Sequence, residues 1–323
     1  MGARVVAIGG GTGLAALLSG LKRRVGDGID DLAAVVAVTD DGGSSGRLRR
    51  DFGVLPPGDI RNCLAALADD EGLATRLFQY RFESGEGLSG HSFGNLFLTA
   101  LTGLTGDFPQ AILTAERILR TRGRILPATL DSVHLRGTTR SGRVVEGESS
   151  IGASRERFAR IELVPAGARA YAPALEAIAA ADLVLLGPGS LYTSILPNLL
   201  FAEIARAVGE TPAPVVLVLN LMTQPGETDG LGGLDHLVAI EEHVGAGVVD
   251  AVLAHAGLWP ESRLVPYRTE GAEPVRVERD ELAARGVRLV ATELLAPEGL
   301  IRHDPRLLAD AALALARPVG AAR

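Results

Sequence analysis

The sequence predicts an α/β protein, a Rossmann-like, doubly wound and mostly parallel sheet with a small β-rich excursion. The first observation is that four β-branched or leucine-rich runs end abruptly in glycines and small polar residues. Val5-Val6-Ala7-Ile8 runs into Gly9-Gly10-Gly11-Thr12-Gly13, and Val35-Val36-Ala37-Val38 into Thr39-Asp40-Asp41-Gly42-Gly43-Ser44-Ser45-Gly46. Leu183-Val184-Leu185-Leu186 runs into Gly187-Pro188-Gly189-Ser190, and Val215 to Leu219 into Asn220-Leu221-Met222-Thr223-Gln224-Pro225-Gly226. Runs that are apolar at every position suit strands buried on both faces, as in a parallel sheet covered by helices. The second observation is Leu14, Leu17, Leu18 and Leu21 at helical spacing directly after the first glycine loop. Strand, glycine turn, helix and next strand then fit within about forty residues, as a βαβ unit requires.

The remaining elements follow in order. A helix opens near Asp59 after Pro56-Pro57-Gly58, with Ile60, Leu64 and Leu67 inward and Asp59 as its N-cap. Another begins beside His91-Ser92 and carries Phe93, Leu96, Phe97, Ala100, Leu101 and Leu104. Residues 122–165 alternate in short segments between Gly, Thr and Ser turns, which reads as the β-rich excursion within a single domain over 1–323. The alanine-rich stretch at 172–181 is a helix ahead of the third strand. Further strands are expected at Ala251 to Ala254 and Val287 to Val290, and Asp304-Pro305 caps a closing helix to about Ala316.

Composition narrows the function classes. With 47% hydrophobic residues, the 323-residue chain buries a large core. Aromatic residues make up only 4%, too few for stacking platforms that grip single-stranded nucleic acid. A net charge of −7 gives no general attraction to nucleic acid or acidic membranes, so any bound anion depends on local groups. Lys22 is the only lysine, which leaves almost no candidate for lysine-dependent phosphate or Schiff-base chemistry. Cys63 is the only cysteine, so neither an internal disulfide nor a multi-thiolate metal site is expected. No apolar signal core opens the chain and no apolar run of membrane-spanning length interrupts it. The expectation is a cytoplasmic protein with no membrane insertion and no nucleic-acid partner.

In sheets of this kind a ligand sits beyond the carboxyl ends of the strands, so the four polar loops converge on one crevice. Gly10, Gly11, Thr12 and Gly13 lie where backbone N–H groups approach phosphate at a helix start, and Gly11-Thr12-Gly13-Leu14-Ala15-Ala16 fits the dinucleotide pattern. No Walker lysine follows. Asp40 and Asp41 end the second strand, where a carboxylate bonds ribose or a metal such as Mg²⁺; adjacent side chains point opposite ways, so one can cap the turn instead. Ser44, Ser45 and Arg47 follow with hydroxyls and a phosphate-clamping guanidinium. Asp59 is either a cap or a functional carboxylate, and Asn62 lies beside it. His91 and Asn95, one turn apart, can face one ligand together, with His91 either structural or an acid-base group. Gly187, Gly189 and Ser190 form a second nest-like loop, and Asn220 and Thr223 stand in the fourth. Asp41, Asp59 and His91 are the catalytic candidates.

Together these blocks resemble the CofD-like superfamily, and within it the YvcK branch of bacterial gluconeogenesis factors. The resemblance rests on GGGTG at 9–13, DDGGSSGRLR at 40–49, PPGDIRNCL at 56–64, LFQYRF at 77–82, GHSFGNL at 90–96, GPGSLYTSILPNLL at 187–200 and NLMTQPGET at 220–228. It covers nearly the whole chain. It implies a Rossmann-like fold, a cytoplasmic protein required for normal cell shape and gluconeogenic growth, and binding of UDP-sugars such as UDP-N-acetylglucosamine. It also brings Tyr267 and Arg302 into the nucleotide-sugar site, through Tyr267-Arg268-Thr269-Glu270-Gly271-Ala272-Glu273-Pro274-Val275 and Arg302-His303-Asp304. On their own, both read as surface residues.

Three readings follow. The first is a nucleotide-sugar-binding regulatory protein tied to cell-wall precursor metabolism, whose partners are a nucleotide-type small molecule, a second copy of the chain, and cell-wall or morphogenesis proteins. The second is a CofD-type 2-phospholactate transferase using a nucleotide-activated donor, from which the chain departs in its GGGTG loop. The third is an NAD-binding oxidoreductase, resting on the dinucleotide pattern alone.

Overall fold

The structure, a computed structural model, describes residues 2–69 and 72–316. Its strands are β1 (Ala3–Gly9), β2 (Ile29–Val36), β3 (Arg124–Pro127), β4 (His134–Thr139), β5 (Val144–Glu146), β6 (Phe158–Val164), β7 (Leu183–Leu186), β8 (Val215–Val218), β9 (Ala251–His255) and β10 (Arg288–Thr292). Seven of them form one sheet in the order β3-β2-β1-β7-β8-β9-β10. Every pairing in it is parallel. The expected Rossmann-like sheet is thus present, with no antiparallel member. Arg124–Pro127, inside the stretch that reads as β-rich, is the edge strand of this large sheet. The antiparallel sheet is built from β5-β4-β6 alone.

The first half of the chain contributes helices α1 (Gly11–Leu21), α2 (Gly43–Phe52), α3 (Gly58–Leu67), α4 (Leu73–Gln79), α5 (Phe93–Thr105), α6 (Phe108–Leu119) and α7 (Glu148–Ala153). The second half contributes α8 (Ala172–Ala180), α9 (Leu196–Leu199), α10 (Ala202–Glu210), α11 (Gly233–Val244), α12 (Glu261–Glu270), α13 (Arg279–Ala284) and α14 (Pro305–Leu313). None of the described helices is long and apolar enough to cross a membrane.

Strand alternation divides the core in two. Val5 and Ala7 of β1 join Leu14, Leu17, Leu64, Ile112 and Leu308 on one face of the sheet. Val6 and Ile8 join Ile178, Ile204 and Ile240 on the other, where Leu135, Phe158 and Ile161 of the small sheet are also buried. Period-two side chains on a strand covered on both faces require apolar residues at every position, which is why the runs read without alternation. The lone lysine has a structural place: Lys22 is buried and its Nζ donates to the Ala68 carbonyl at 2.7 Å.

Helix starts follow local chemistry. Ser92 caps α5 by accepting the Asn95 N–H, and Asp304 caps α14 by accepting the N–H groups of Arg306 and Leu307. At α3 the expected cap differs. Pro57 occupies the N-cap, and Asp59 lies inside the first turn.

From β1 the chain runs outward to β2 and β3, then returns to lay β7 on the opposite side of β1. The β1/β7 seam is therefore the topological switch point, where open α/β sheets form a crevice at the carboxyl edge.

Candidate functional site

The loops after β1 and β7 form the floor of that crevice and touch. A Cβ on Gly13 would lie 2.5 Å from the Pro188 carbonyl oxygen, so only glycine lets α1 approach the Gly187 to Ser190 loop this closely. Gly187 turns at φ 78° and Gly189 at φ 157°. Asn220, from the β8 loop, accepts the Gly189 N–H at 2.9 Å and donates to the Gly189 carbonyl at 2.9 Å. Gln224 donates to Ser190 Oγ at 2.7 Å. Thr12 stands exposed on the first turn of α1, beside Gly10 and Gly11.

Two residues with no evident signal in the sequence support this floor. Asn198, fully buried, donates to the Gly9 carbonyl at 3.1 Å and to the Ser194 carbonyl at 2.8 Å. Glu227, also buried, accepts the Tyr192 N–H at 2.8 Å at the start of the helical stretch after β7. Burial raises the Glu227 carboxyl above its ordinary range, against the hydrogen bonds it receives from Tyr192, Ser190 and Thr193.

On the β2 side the two adjacent aspartates separate as extended backbone demands. Asp40 Oδ1 accepts the Gly42 N–H at 2.9 Å and closes its own turn, while Asp40 Oδ2 faces the start of α3 at Gly58. Asp41 turns to the small helix α7 and accepts the Ser149 N–H at 2.9 Å. Asp59 reaches back to the glycine floor, where its carboxylate lies against Gly10 and accepts the Gly11 N–H. Burial pushes Asp59 up to about 6, with the charge of Asp40 adding to the rise and the Gly11 and Asn62 hydrogen bonds opposing it. Glu148, bonded by the Thr39 hydroxyl, is held well above the usual carboxyl range by burial and by the fields of Asp59, Asp40 and Asp41. Among the described residues no group of three or more His, Cys, Asp or Glu is disposed to hold a metal ion.

Beyond Asp40 lies a polar cluster at the first turns of α2 and α5. Ser44 Oγ pairs with His91 Nδ1 at 2.9 Å, and Asn95 Nδ2 donates to Ser44 Oγ at 3.1 Å and to Ser45 Oγ at 3.4 Å. All four side chains are buried. Burial and then the Arg47 charge lower the His91 pKa, so the ring is neutral near pH 7. Arg47 donates to the Ser89 carbonyl at 2.8 Å, and Asn62 Oδ1 accepts from Arg61 Nη2 at 2.8 Å.

A third group of residues follows β8, β9 and β10 in the chain. Thr223 is tied to Glu273 by two hydrogen bonds, Thr223 N–H to the Glu273 carbonyl and Glu273 N–H to Thr223 Oγ1. Tyr267 is half-buried against Leu221, Met222, Leu264, Leu295 and Ile301 rather than lying free on the surface, and its hydroxyl donates to the Ile301 carbonyl at 3.3 Å. Arg302, the next residue, is exposed as the sequence suggests. Its loop is held by Arg263, whose guanidinium donates to the carbonyls of Ala296, Pro297, Glu298, Gly299 and Leu300.

The residues singled out in the sequence therefore all stand at one edge of the sheet, in three groups: the glycine floor, the β2 side with α2 and α5, and the Tyr267–Arg302 end. At the usual strand spacing, β2 to β9 spans about 19 Å.

The chain is 45% identical over 310 residues to the gluconeogenesis factor of Halalkalibacterium halodurans, covering 96% of this chain and 95% of that protein. It is 44% identical over 308 residues to the gluconeogenesis factor of Bacillus subtilis, covering 95% and 96% respectively. A crystal structure of a Bacillus halodurans protein superposes with a TM-score of 0.93 at 44% identity, over 97% of this chain and all of that one. The sequence pattern of the 2-phospho-L-lactate transferase CofD family matches residues 5–295, and with relatives this similar along their whole length the chain belongs to the CofD family, as a YvcK-type member.

Proposed function

We propose that the crevice binds a nucleotide sugar of the UDP-N-acetylglucosamine type and that the protein is a cytoplasmic, ligand-responsive regulator linking gluconeogenic growth to cell-wall precursor supply and cell shape. The observation that carries this reading is the joining of the glycine floor at the β1/β7 switch point, through Asn220 and the β8 loop, to the Tyr267–Arg302 end. A tyrosine ring stacks on a pyrimidine and a guanidinium clamps a diphosphate. The N–H groups of Thr12 and Gly13, at a helix start, face the position for phosphate, since Asp59 already occupies the Gly11 N–H. The physiological side of the proposal comes from the relatives, which bear the name gluconeogenesis factor.

One observation favours the transferase reading instead. A buried carboxyl raised to about 6 beside a phosphate-binding loop is poised for general acid-base work, and Asp59 is such a group. Calorimetry with UDP-N-acetylglucosamine, followed by mass spectrometry of the recovered ligand, separates the two. The expected result is saturable binding, with the nucleotide sugar intact after hours with Mg²⁺ present. Conversion in proportion to protein, or phospholactyl transfer to a deazaflavin acceptor, promotes the transferase; no binding removes the nucleotide-sugar reading.

A further inference from the structure

We propose that Arg47, Arg61 and Arg81 form a second anion subsite around the His91 segment, which takes the phosphomonoester of a small phosphorylated metabolite while the nucleotide occupies the rest of the crevice. Several arginines of this acidic protein meet carboxylates: Arg4, Arg122, Arg124, Arg136, Arg143, Arg268 and Arg285 each have one within salt-bridge distance. Arg47, Arg61 and Arg81 bond only neutral oxygens, those of Ser89, Asn62 and Gly90 respectively. Among the described residues none of the three has a carboxylate within 4.0 Å.

The three groups converge on one short piece of chain. Arg47 Nη2 lies 3.1 Å from where a Gly90 Cβ would be, Arg81 bonds the Gly90 carbonyl, and the Arg61 stem lies 2.8 Å from the Gly94 Cβ position. Their fields overlap as well: the charge of Arg81 opposes protonation of both Arg61 and His91, and Arg47 also opposes that of His91. Like charges gathered with no carboxylate in contact are unfavourable, and Arg61 Nε is shut off from solvent with no partner. A bound dianion relieves both.

The surroundings suit phosphate. The Ser44 and Ser45 hydroxyls stand at the first turn of α2, and Ser92 begins α5. Asp59 and Asp40 also act on Arg61, which sets the negative edge of the subsite on the β1 side and leaves Arg81 and Arg47 for the anion. Guanidinium forks match a terminal phosphate in bidentate fashion. A diphosphate over Gly10 to Gly13 lies after β1, whereas Arg47, Arg61 and Arg81 belong to α2, α3 and the segment after α4, a separate set of groups for the anion of a second molecule.

The test is calorimetric titration of the full chain with inorganic phosphate, then with a hexose monophosphate, at constant ionic strength and without nucleotide. Arg81→Gln, an exposed position that carries no core packing, is expected to weaken phosphate binding about tenfold or more, the usual effect of losing a charged hydrogen bond. Arg61→Gln is expected to do the same, with Arg61→Lys restoring part of it, and Arg206→Gln, exposed on α10 and away from every group of site residues, is expected to leave phosphate binding unchanged. A second titration at saturating UDP-N-acetylglucosamine is expected to retain phosphate binding. Phosphate held no more tightly than chloride, full binding in Arg81→Gln, or complete displacement by the nucleotide sugar overturns the proposal. Because the first titrations contain no nucleotide, a failure of nucleotide-sugar binding leaves them interpretable, and their failure leaves that reading standing.

Discussion

Asn220 and Gly189 exchange two hydrogen bonds, the amide oxygen accepting the Gly189 N–H and the amide nitrogen donating to the Gly189 carbonyl, each at 2.9 Å. This reciprocal pair fixes the β7 loop to the β8 loop, beside the β1/β7 switch point. Asn220→Ala leaves both backbone groups without their partners, at a cost of about 1–3 kcal/mol if water does not replace them. The expected outcome is a lower urea midpoint together with weaker nucleotide-sugar binding. Asn220→Asp keeps the acceptor, loses the donor and adds a negative charge, so it is expected to reduce affinity more than stability. Equal, unchanged affinities in both variants would exclude the pair from the site.

Gly13 tests how tightly the floor is built. Gly13→Ala forces a Cβ to within 2.5 Å of the Pro188 carbonyl, and overpacking of this kind costs about 1–3 kcal/mol. Gly103, in the interior of α5 with nothing near its Cβ position, is the control: Gly103→Ala is expected to stabilise by about 0.5–1 kcal/mol. Thermal melts of both variants check the difference in sign.

Arg263 is expected to position Arg302 without touching the ligand. Its five carbonyl contacts gather residues 296–300, and the loop returns immediately to Ile301, whose carbonyl receives the Tyr267 hydroxyl. Arg302→Ala should weaken UDP-sugar binding by about 1.5–3 kcal/mol. Arg263→Ala should speed hydrogen exchange at 296–300 and weaken binding through the same guanidinium, so the double variant should lose less than the sum. Strict additivity would show that Arg263 does not act through Arg302.

What could be read from the sequence was local. Unbroken apolar runs marked β1, β7 and β8, and Ser92 and Asp304 announced their helices because a cap bonds only two or three residues away. The second apolar run covers only the end of its strand: β2 begins at Ile29 and ends at Val36, because the polar Asp30-Asp31 portion lies where charged side chains reach solvent or Arg124. Asp59 showed the opposite limit. Its position beside Pro57 suggests a cap, yet its bond goes to Gly11, forty-eight residues back, and no local pattern encodes that. Glu148, Asn198, Glu227 and Arg263 are silent for the same reason, since each acts on backbone or hydroxyl groups brought near only by the fold. Tyr267 and Arg302 became legible only through the resemblance, their spacing along the chain carrying no signal of its own.

The last prediction concerns acid stability, on which Asp59 and His303 act in opposite directions. Asp59 has a folded pKa of about 6 against an ordinary 3.8, so the folded chain holds its proton more tightly. Its contribution to stability is full below 3.8 and is lost as pH rises through 6. His303, the neighbour of Arg302, is depressed by burial and by neighbouring His255 to about 4 from 6.5. Its contribution is full above 6.5 and is lost as pH falls through 4. Each effect is on the order of 3 kcal/mol and the two oppose one another over this range, while the raised carboxyls of Glu116, Glu148 and Glu227 add to the falling component. Asp59→Asn keeps an acceptor for Gly11 and removes its share of the falling component, so its urea midpoint should climb relative to that of the unmodified protein from pH 4 to 6.5. His303→Gln removes the rising component, and its midpoint should decline over the same range. Urea denaturation at several pH values tests both, and three parallel profiles would show that neither group titrates as its surroundings dictate.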